Sequence, residues 1–323
     1  MAVKNFACLC GGGIGNIGLP SCVERPALIV KDIFMNTYAA DGTRNSIKST
    51  DLVGGVLPSA FLLGKFTEAD PTKRWYITPD TYEEAEPTRT DRTTQESATG
   101  TIKTLRNGQI QRSFQLWDVP HSWASKLNTA TCNEVSVFSV DESGKLVGET
   151  NKDGSEFFGL IIQKGTLNAE AFEASPTVDA YTSITYQISR ASVEGSFLTL
   201  SADQLEDDLR TARSLIEVDL TQGSGANTNT KIFVDAFNGT LGSFGNYHPL
   251  QGAVLIADWK VFTSAGTLGA EIVITNVTEN AAGQYEIDLT ADAATEVFVS
   301  FVKVKTSISD FGYVADQVSI TKP

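Results

Sequence analysis

Gln284-Tyr285-Glu286-Ile287-Asp288-Leu289 is the stretch whose reading decides the fold class. Tyr285, Ile287 and Leu289 fall on one face, and the acids fall on the other. Successive side chains of a strand leave the backbone on opposite sides, so this period of two marks a half-buried antiparallel strand. Thr182-Ser183-Ile184-Thr185-Tyr186-Gln187-Ile188 repeats the pattern. Around the first stretch lie further short runs, Ile232–Phe237, Val254–Phe262, Ala270–Asn276 and Val297–Val304. Turn residues separate them, including Gly266, Gly269 and Asn280 to Gly283. About 100 residues of short, regularly spaced strands is the pattern of a β-sandwich.

The N-terminal part reads as a second β-rich region. Leu28–Phe34, Arg74–Ile77, Glu134–Val140, Lys145–Thr150, Phe157–Gln163, Ile184–Arg190 and Phe197–Leu200 are expected strands. Asp41-Gly42 and Asp141-Glu142-Ser143-Gly144 are expected turns. Val53–Leu63 is apolar with two glycines and Pro58, and reads as strand or buried loop. Pro120–Thr131 carries Trp123, Ala124 and Leu127 at helical spacing, with Asp118 as its expected cap. Leu167–Ala174 reads as a helical turn. Ser201-Ala202-Asp203-Gln204 reads as a helix start that puts Leu205, Leu209 and Ala212 on one face. Residues 83–108 are dominated by Glu, Thr, Arg, Ser and Gln and read as a solvated loop or as an arm that orders against another copy. Asn107-Gly108 is a two-residue hairpin signal joining Thr101–Arg106 to Gln109–Leu116. The expected organisation is an irregular arm over 1–26, a β domain over 27–215 and a β-sandwich over 216–323, with Thr221–Thr230 of linker or loop composition.

Composition excludes several function classes. The chain has 323 residues, 41% of them hydrophobic and 20% charged, which is ordinary for a globular protein. Its formal net charge is -14, and no segment is strongly basic, so a phosphate-binding footprint is not expected. It has only 2 His, 4 Cys and 2 Met, and so is poor in the side chains that catalysis and metal binding usually use. Met1 to Cys8 lacks the apolar core of a signal peptide, which points to synthesis in the cytoplasm. No apolar run approaches the ~18 residues of a membrane span.

The remaining motifs assign no catalytic, cofactor or metal site. Gly13-Ile14-Gly15-Asn16-Ile17-Gly18 matches the G-x-G-x-x-G pattern, but Pro20 and Pro26 follow where a dinucleotide site needs a helix. Cys8, Cys10, Cys22 and Cys132 lack the paired C-x-x-C spacing of common zinc ribbons and read as free thiols. His121 and His248 stand in no recognisable triad motif and read as structural. The acidic runs Asp80, Glu83, Glu84, Glu86 and Glu206-Asp207-Asp208 read as solvated faces. Converging in a cleft, they would instead suit glycan hydrolysis. Trp259 and Tyr285 are expected core residues.

Two resemblances follow. Asn280-Ala281-Ala282-Gly283-Gln284-Tyr285 resembles the turn before a tyrosine-corner strand, so 216–323 looks like an immunoglobulin-like domain; no cysteine follows Cys132, so the inter-sheet disulfide of antibody domains is absent. Residues 27–215 resemble in layout the tail-tube and related virion structural proteins of tailed bacteriophages. The shared features are the early Asp41-Gly42 turn, the polar arm at 83–108 and the helix at Pro120–Thr131 among strands. The resemblance implies a non-enzymatic homo-oligomer in the virion. Its rings, usually of six copies, would stack into a tube beside other virion proteins, with DNA passing through the lumen without specific binding. The alternatives are a capsid decoration, head-completion or fibre protein, and a glycan-binding surface module.

Overall fold

The structure is a computed structural model. It describes residues 28–68, 70–79, 82–84, 88–89, 93–96, 102–106, 109–117, 121–151, 153–189, 192, 197–213, 215–238, 248–265, 270–291, 294–303, 307–310, 312–315 and 317–323. Among the described residues the fold is mainly β, with two short α-helices and two curled sheets, one a half-barrel and the other a near-closed barrel. The chain divides into two compact units. The first runs to Phe66 and from Pro71 to Arg213; the second is Ser214–Pro323 with Thr67–Asp70.

In the first unit the order is β1 (Ile29–Asn36), β2 (Ser46–Lys48), α1 (Ser59–Phe66), β3 (Tyr76–Ile77), β4 (Tyr82–Glu84), β5 (Thr88–Arg89), β6 (Thr93–Glu96), β7 (Ile102–Arg106) and β8 (Ile110–Trp117). It continues with α2 (His121–Thr129), β9 (Val135–Asp141), β10 (Leu146–Thr150), β11 (Glu156–Phe158), β12 (Leu160–Ile161), β13 (Asn168–Phe172), β14 (Tyr181–Gln187) and β15 (Phe197–Leu200). One sheet runs β2-β11-β10-β9-β1-β3, with β12 on β9 and β15 on β10. The other runs β13-β14-β8-β4, with β5 also on β8, and β6 and β7 form a separate ribbon. β9 is buried along its whole length, as its Val and Phe content requires of a strand covered on both faces. Phe34, Val137, Phe114, Leu116, Ile184 and Tyr186 share one core, with Trp123 and Leu127 of α2 packed against it. Phe138 stacks on Phe157 at 5.2 Å and meets Trp75 at 5.3 Å, and such ring pairs add about 0.5–1.5 kcal/mol each beyond their buried area. Gly148 lets the backbone into this cluster, because a Cβ there would run into the Phe158 carbonyl oxygen.

Several sequence expectations are corrected. Val53–Leu63 is neither strand nor buried loop: a turn at Gly54 and Gly55, both at positive φ, leads past Pro58 into α1. Leu167–Ala174 holds β13 rather than a helical turn. The stretch from Ser201 to Ala212 forms two short 3-10 turns; Leu209 and Ala212 are nevertheless fully buried. Among the described residues β7 pairs with β6 and β8 with β14 and β4, not with each other; Asn107-Gly108 itself lies outside them. β8 has to bury Phe114 and Leu116, and the apolar face of β14 offers Ile184 and Tyr186 for that. The described parts of the 83–108 stretch are strands rather than open loop.

The second unit comprises β16 (Leu215–Gln222), β17 (Lys231–Asn238), β18 (His248–Pro249), β19 (Trp259–Phe262), β20 (Glu271–Ile272), β21 (Ile274–Ala281), β22 (Gln284–Leu289), β23 (Glu296–Lys303), β24 (Gly312–Ala315) and β25 (Val318–Thr321). The path is β20-β19-β23-β24-β16-β17-β22-β21, with β18 on β17 and β25 on β23. All pairs are antiparallel except β16 with β24. β22 shows the expected alternation, with Tyr285, Ile287 and Leu289 buried. Trp259 packs on Tyr285 at 5.1 Å and on Phe301 at 4.7 Å, and its Nε1 donates to the Ala253 carbonyl at 2.8 Å. Tyr285 donates its hydroxyl proton to Leu250 O at 2.8 Å and accepts from Ala253 N at 3.2 Å. Thr221–Thr230 is a loop, as one of its two readings expected, and not a linker: it ends β16 and turns within the unit, where Asn227 accepts from Phe233 N and donates to Thr321 O. Of Val254–Phe262 only the last four residues are strand; Val254, Leu255 and Ile256 are exposed.

Candidate functional site

The β13-β14-β8-β4 sheet has one face in the core and one open face. Alternation decides which side chains go where. On β8, Arg112, Phe114 and Leu116 are buried while Gln111, Ser113, Gln115 and Trp117 are partly exposed. On β14, Thr182, Ile184 and Tyr186 are buried while Tyr181, Ser183, Thr185 and Gln187 are partly exposed. Asn168, Glu170 and Phe172 of β13 are exposed. Register arranges the open face in rungs: Phe172–Tyr181–Trp117, Glu170–Ser183–Gln115, Asn168–Thr185–Ser113 and Gln187–Gln111. On β4 and β5, Glu83 pairs with Gln115 and Thr88 with Gln111. The first rung is aromatic, with Phe172 stacked on Tyr181 at 4.8 Å and Trp117 at 5.9 Å from Tyr181. The other rungs are uncharged apart from Glu170 and Glu83, which end the same rung, and none carries Lys or Arg.

The edge of this sheet at β13 is partly guarded. The Asn128 side chain of α2 donates to Ala169 O at 2.7 Å and accepts from Ala169 N at 2.8 Å, as a neighbouring strand would. By alternation, the next outward-pointing N–H and C=O on that edge belong to Ala171.

Beneath the open face lies a buried polar knot that ties the two sheets together. Asp32 of β1 is fully buried. Its carboxylate accepts from Ser139 Oγ of β9 at 2.6 Å and from Tyr186 OH of β14 at 2.7 Å. Arg112 of β8 lies 3.5 Å from Asp32 Oδ1, and donates to Ser139 and to Tyr186. Thr78 Oγ1 accepts from the Asp32 amide at 3.1 Å. Burial raises the Asp32 pKa above the ordinary carboxylate range, opposed by Arg112, Ser139 and Tyr186. Burial, then the Asp32 charge, push the Tyr186 hydroxyl well above its usual value. With Asp32 at no exposure and Tyr186 at 1%, the knot is a clamp rather than a place where substrate reaches a carboxylate. Sequence reasoning missed it. The available signal was Asp32 itself, a charge inside an apolar strand, which demands a buried partner.

The residues weighed from sequence do not converge. Gly13–Gly18, Cys8, Cys10, Cys22, Asp80, Glu86 and Asp118 lie outside the described residues. Cys132 is a free, exposed thiol. His121 begins α2 and His248 begins β18, in different units, and their side chains lie outside the described set. Glu206 accepts the Ser59 amide at the start of α1 at 2.7 Å, and Asp208 pairs with Arg210 at 2.7 Å. Among the described residues no group of three or more His, Cys, Asp or Glu is placed to hold a metal ion, and no helix is long and apolar enough to cross a membrane. Comparison with protein-family models, with curated proteins and with solved structures found no match.

Proposed function

We propose that this chain is a structural virion protein of the tail-tube kind, whose copies form rings that stack into a conduit for DNA. The observation that carries this reading is the open sheet face. Tight binding to duplex DNA needs Lys and Arg to displace counterions from phosphates. Beyond its one aromatic rung this face carries Gln, Ser, Thr, Asn and Glu, and on a chain of net charge -14 it gives a polyanion no cation to hold and a field that repels it. That is the property a conduit wall needs. On this reading the two sheets of the first unit form a sandwich clamped by the Asp32 knot, and copies join around the lumen at the sheet edges. Because Asn128 occupies Ala169, joining on the β13 side engages the chain from Ala171 onward.

We read the second unit as an immunoglobulin-like sandwich that decorates such a tube. Support comes from the strand order: β21-β22-β17-β16 forms one layer, β20-β19-β23-β25 the other, and β16 meets β24 in parallel. Trp259 fills the inter-layer core from the start of β19, a four-residue strand and the fourth of the unit. Tyr285 departs from a tyrosine corner, since it follows the tight β21–β22 hairpin and not a crossover between layers.

The test is to place cations on the face. A Gln115→Lys, Ser183→Lys, Thr185→Lys variant is expected to assemble, to retain short duplex DNA at low salt and to protect it from nuclease; wild-type assemblies retain none. Retained DNA that nuclease digests as fast as free DNA would put this face outside any tube, and no retention by the variant would equally overturn the assignment.

A further inference from the structure

The first unit holds a concentration of positive charge that the acidic balance of the chain makes conspicuous. Four of the 25 Lys and Arg residues, Arg44, Lys48, Lys65 and Lys73, line one pocket of about 290 Å³, with Phe61 in its wall and Asp51 as the acidic lining residue. Two of these cations are held by acids. Arg44 Nη2 lies 2.7 Å from Glu149 Oε1, with its guanidinium 3.6 Å from the Phe158 ring centroid, and Lys73 Nζ lies 2.8 Å from Asp41 Oδ2. The other two are not: among the described residues neither the Lys48 nor the Lys65 ammonium has an acidic group at ion-pair distance. Lys48 is exposed. Lys65 is held over the rings of Phe61 and Trp75, at 5.5 and 6.0 Å. Asp51 is partly committed, since its Oδ2 accepts the Lys48 amide at 2.7 Å. The pocket therefore offers two ammonium groups against the one carboxylate of Asp51, a local excess of positive charge, in a space at the small end for ligand sites and suited to a side chain.

We propose that this pocket receives carboxylate side chains of a second copy of the chain. Two copies at -14 repel one another, so self-association needs a local region of opposite sign, and complementary charge then sets which surfaces meet. The aromatic wall beside the half-buried Lys65 lowers the local dielectric and strengthens its contact with a carboxylate relative to open surface. Donors are plentiful, with 39 Asp and Glu in each copy. The inference rests on the self-assembly part of the proposed function and not on ring or tube geometry.

The test is zero-length carbodiimide coupling, which joins a lysine amine to a carboxylate it touches as an amide, with loss of water. Full-length chains made in light and heavy nitrogen isotopes are mixed, allowed to associate, coupled and read by mass spectrometry. Cross-linked peptides that contain Lys48 or Lys65 and mix the isotopes are expected, and they fade at high salt. A Lys48→Glu, Lys65→Gln variant with an unchanged thermal melt is expected to self-associate about tenfold more weakly. Coupling between copies through other lysines only overturns the inference. So does protection of Lys48 and Lys65 by inorganic phosphate with no copy bound, which would make the pocket a free-anion site. Tubes by electron microscopy without these cross-links defeat the inference alone. Compact dimers with them defeat the tube reading alone, and a chain that stays monomeric defeats both.

Discussion

Replacing Asp32 with alanine is expected to destabilise the first unit by about 3–5 kcal/mol, the usual cost of removing one partner from a buried charged pair. Ser139 and Tyr186 donate to this carboxylate and would lose their acceptor, and Arg112 would lose the opposite charge beside it. Denaturant unfolding of the full chain, with hydrogen exchange followed in β1, β8, β9 and β14, measures the loss. Asp32→Asn keeps an acceptor oxygen and should recover part of it. The pH dependence has a defined sign. Burial raises the native Asp32 pKa, so the native state holds this proton more tightly than the unfolded chain does. Its contribution to stability is complete below the ordinary carboxylate range and declines as pH rises through the raised value. The advantage of wild type over Asp32→Asn should therefore be largest in acid and narrow as pH rises. A loss under about 0.5 kcal/mol for Asp32→Ala, within the range of an ordinary surface substitution, would show that the knot does not clamp the sheets.

Trp259→Ala is expected to cost the second unit about 3–5 kcal/mol, as large-to-small changes of buried aromatic residues do. Trp259 is 2% exposed, meets Tyr285 and Phe301 and holds the Ala253 carbonyl that begins the loop before it. Its loss opens a cavity beside the Tyr285 hydroxyl, which fixes the same loop through Leu250 and Ala253. Hydrogen exchange should show protection falling in β17, β19, β22 and β23. Unchanged protection in these strands would mean that the core is organised without Trp259.

Much of the fold was legible because alternation is a local signal. β8, β14, β17 and β22 each bury every second residue, and a window of seven residues suffices to see it. The helix at His121–Thr129 was legible from Trp123, Ala124 and Leu127. What escaped depends on partners distant in sequence. β13 looked helical because Ala169 and Ala171 are good helix formers; the sheet overrides that propensity where those small side chains pack against the core. The β7–β8 ladder that Asn107-Gly108 signals is not formed among the described residues, where β8 finds its apolar partner in β14. α1 was hidden by an apolar run in which Pro58-Ser59, a helix start, carried less weight than two glycines. The knot joins residues 107 and 154 positions apart, so only the misplaced charge of Asp32 hinted at it. The open face was present in the sequence as the polar half of β8 and β14, but its meaning required the register that aligns Gln, Ser and Thr into rungs.

The most direct measurement is negative-stain electron microscopy of the purified full-length chain over a concentration series. The account predicts rings or hollow tubes whose bore admits duplex DNA, about 20 Å or more. Monodisperse monomers or compact trimers at every concentration would contradict it.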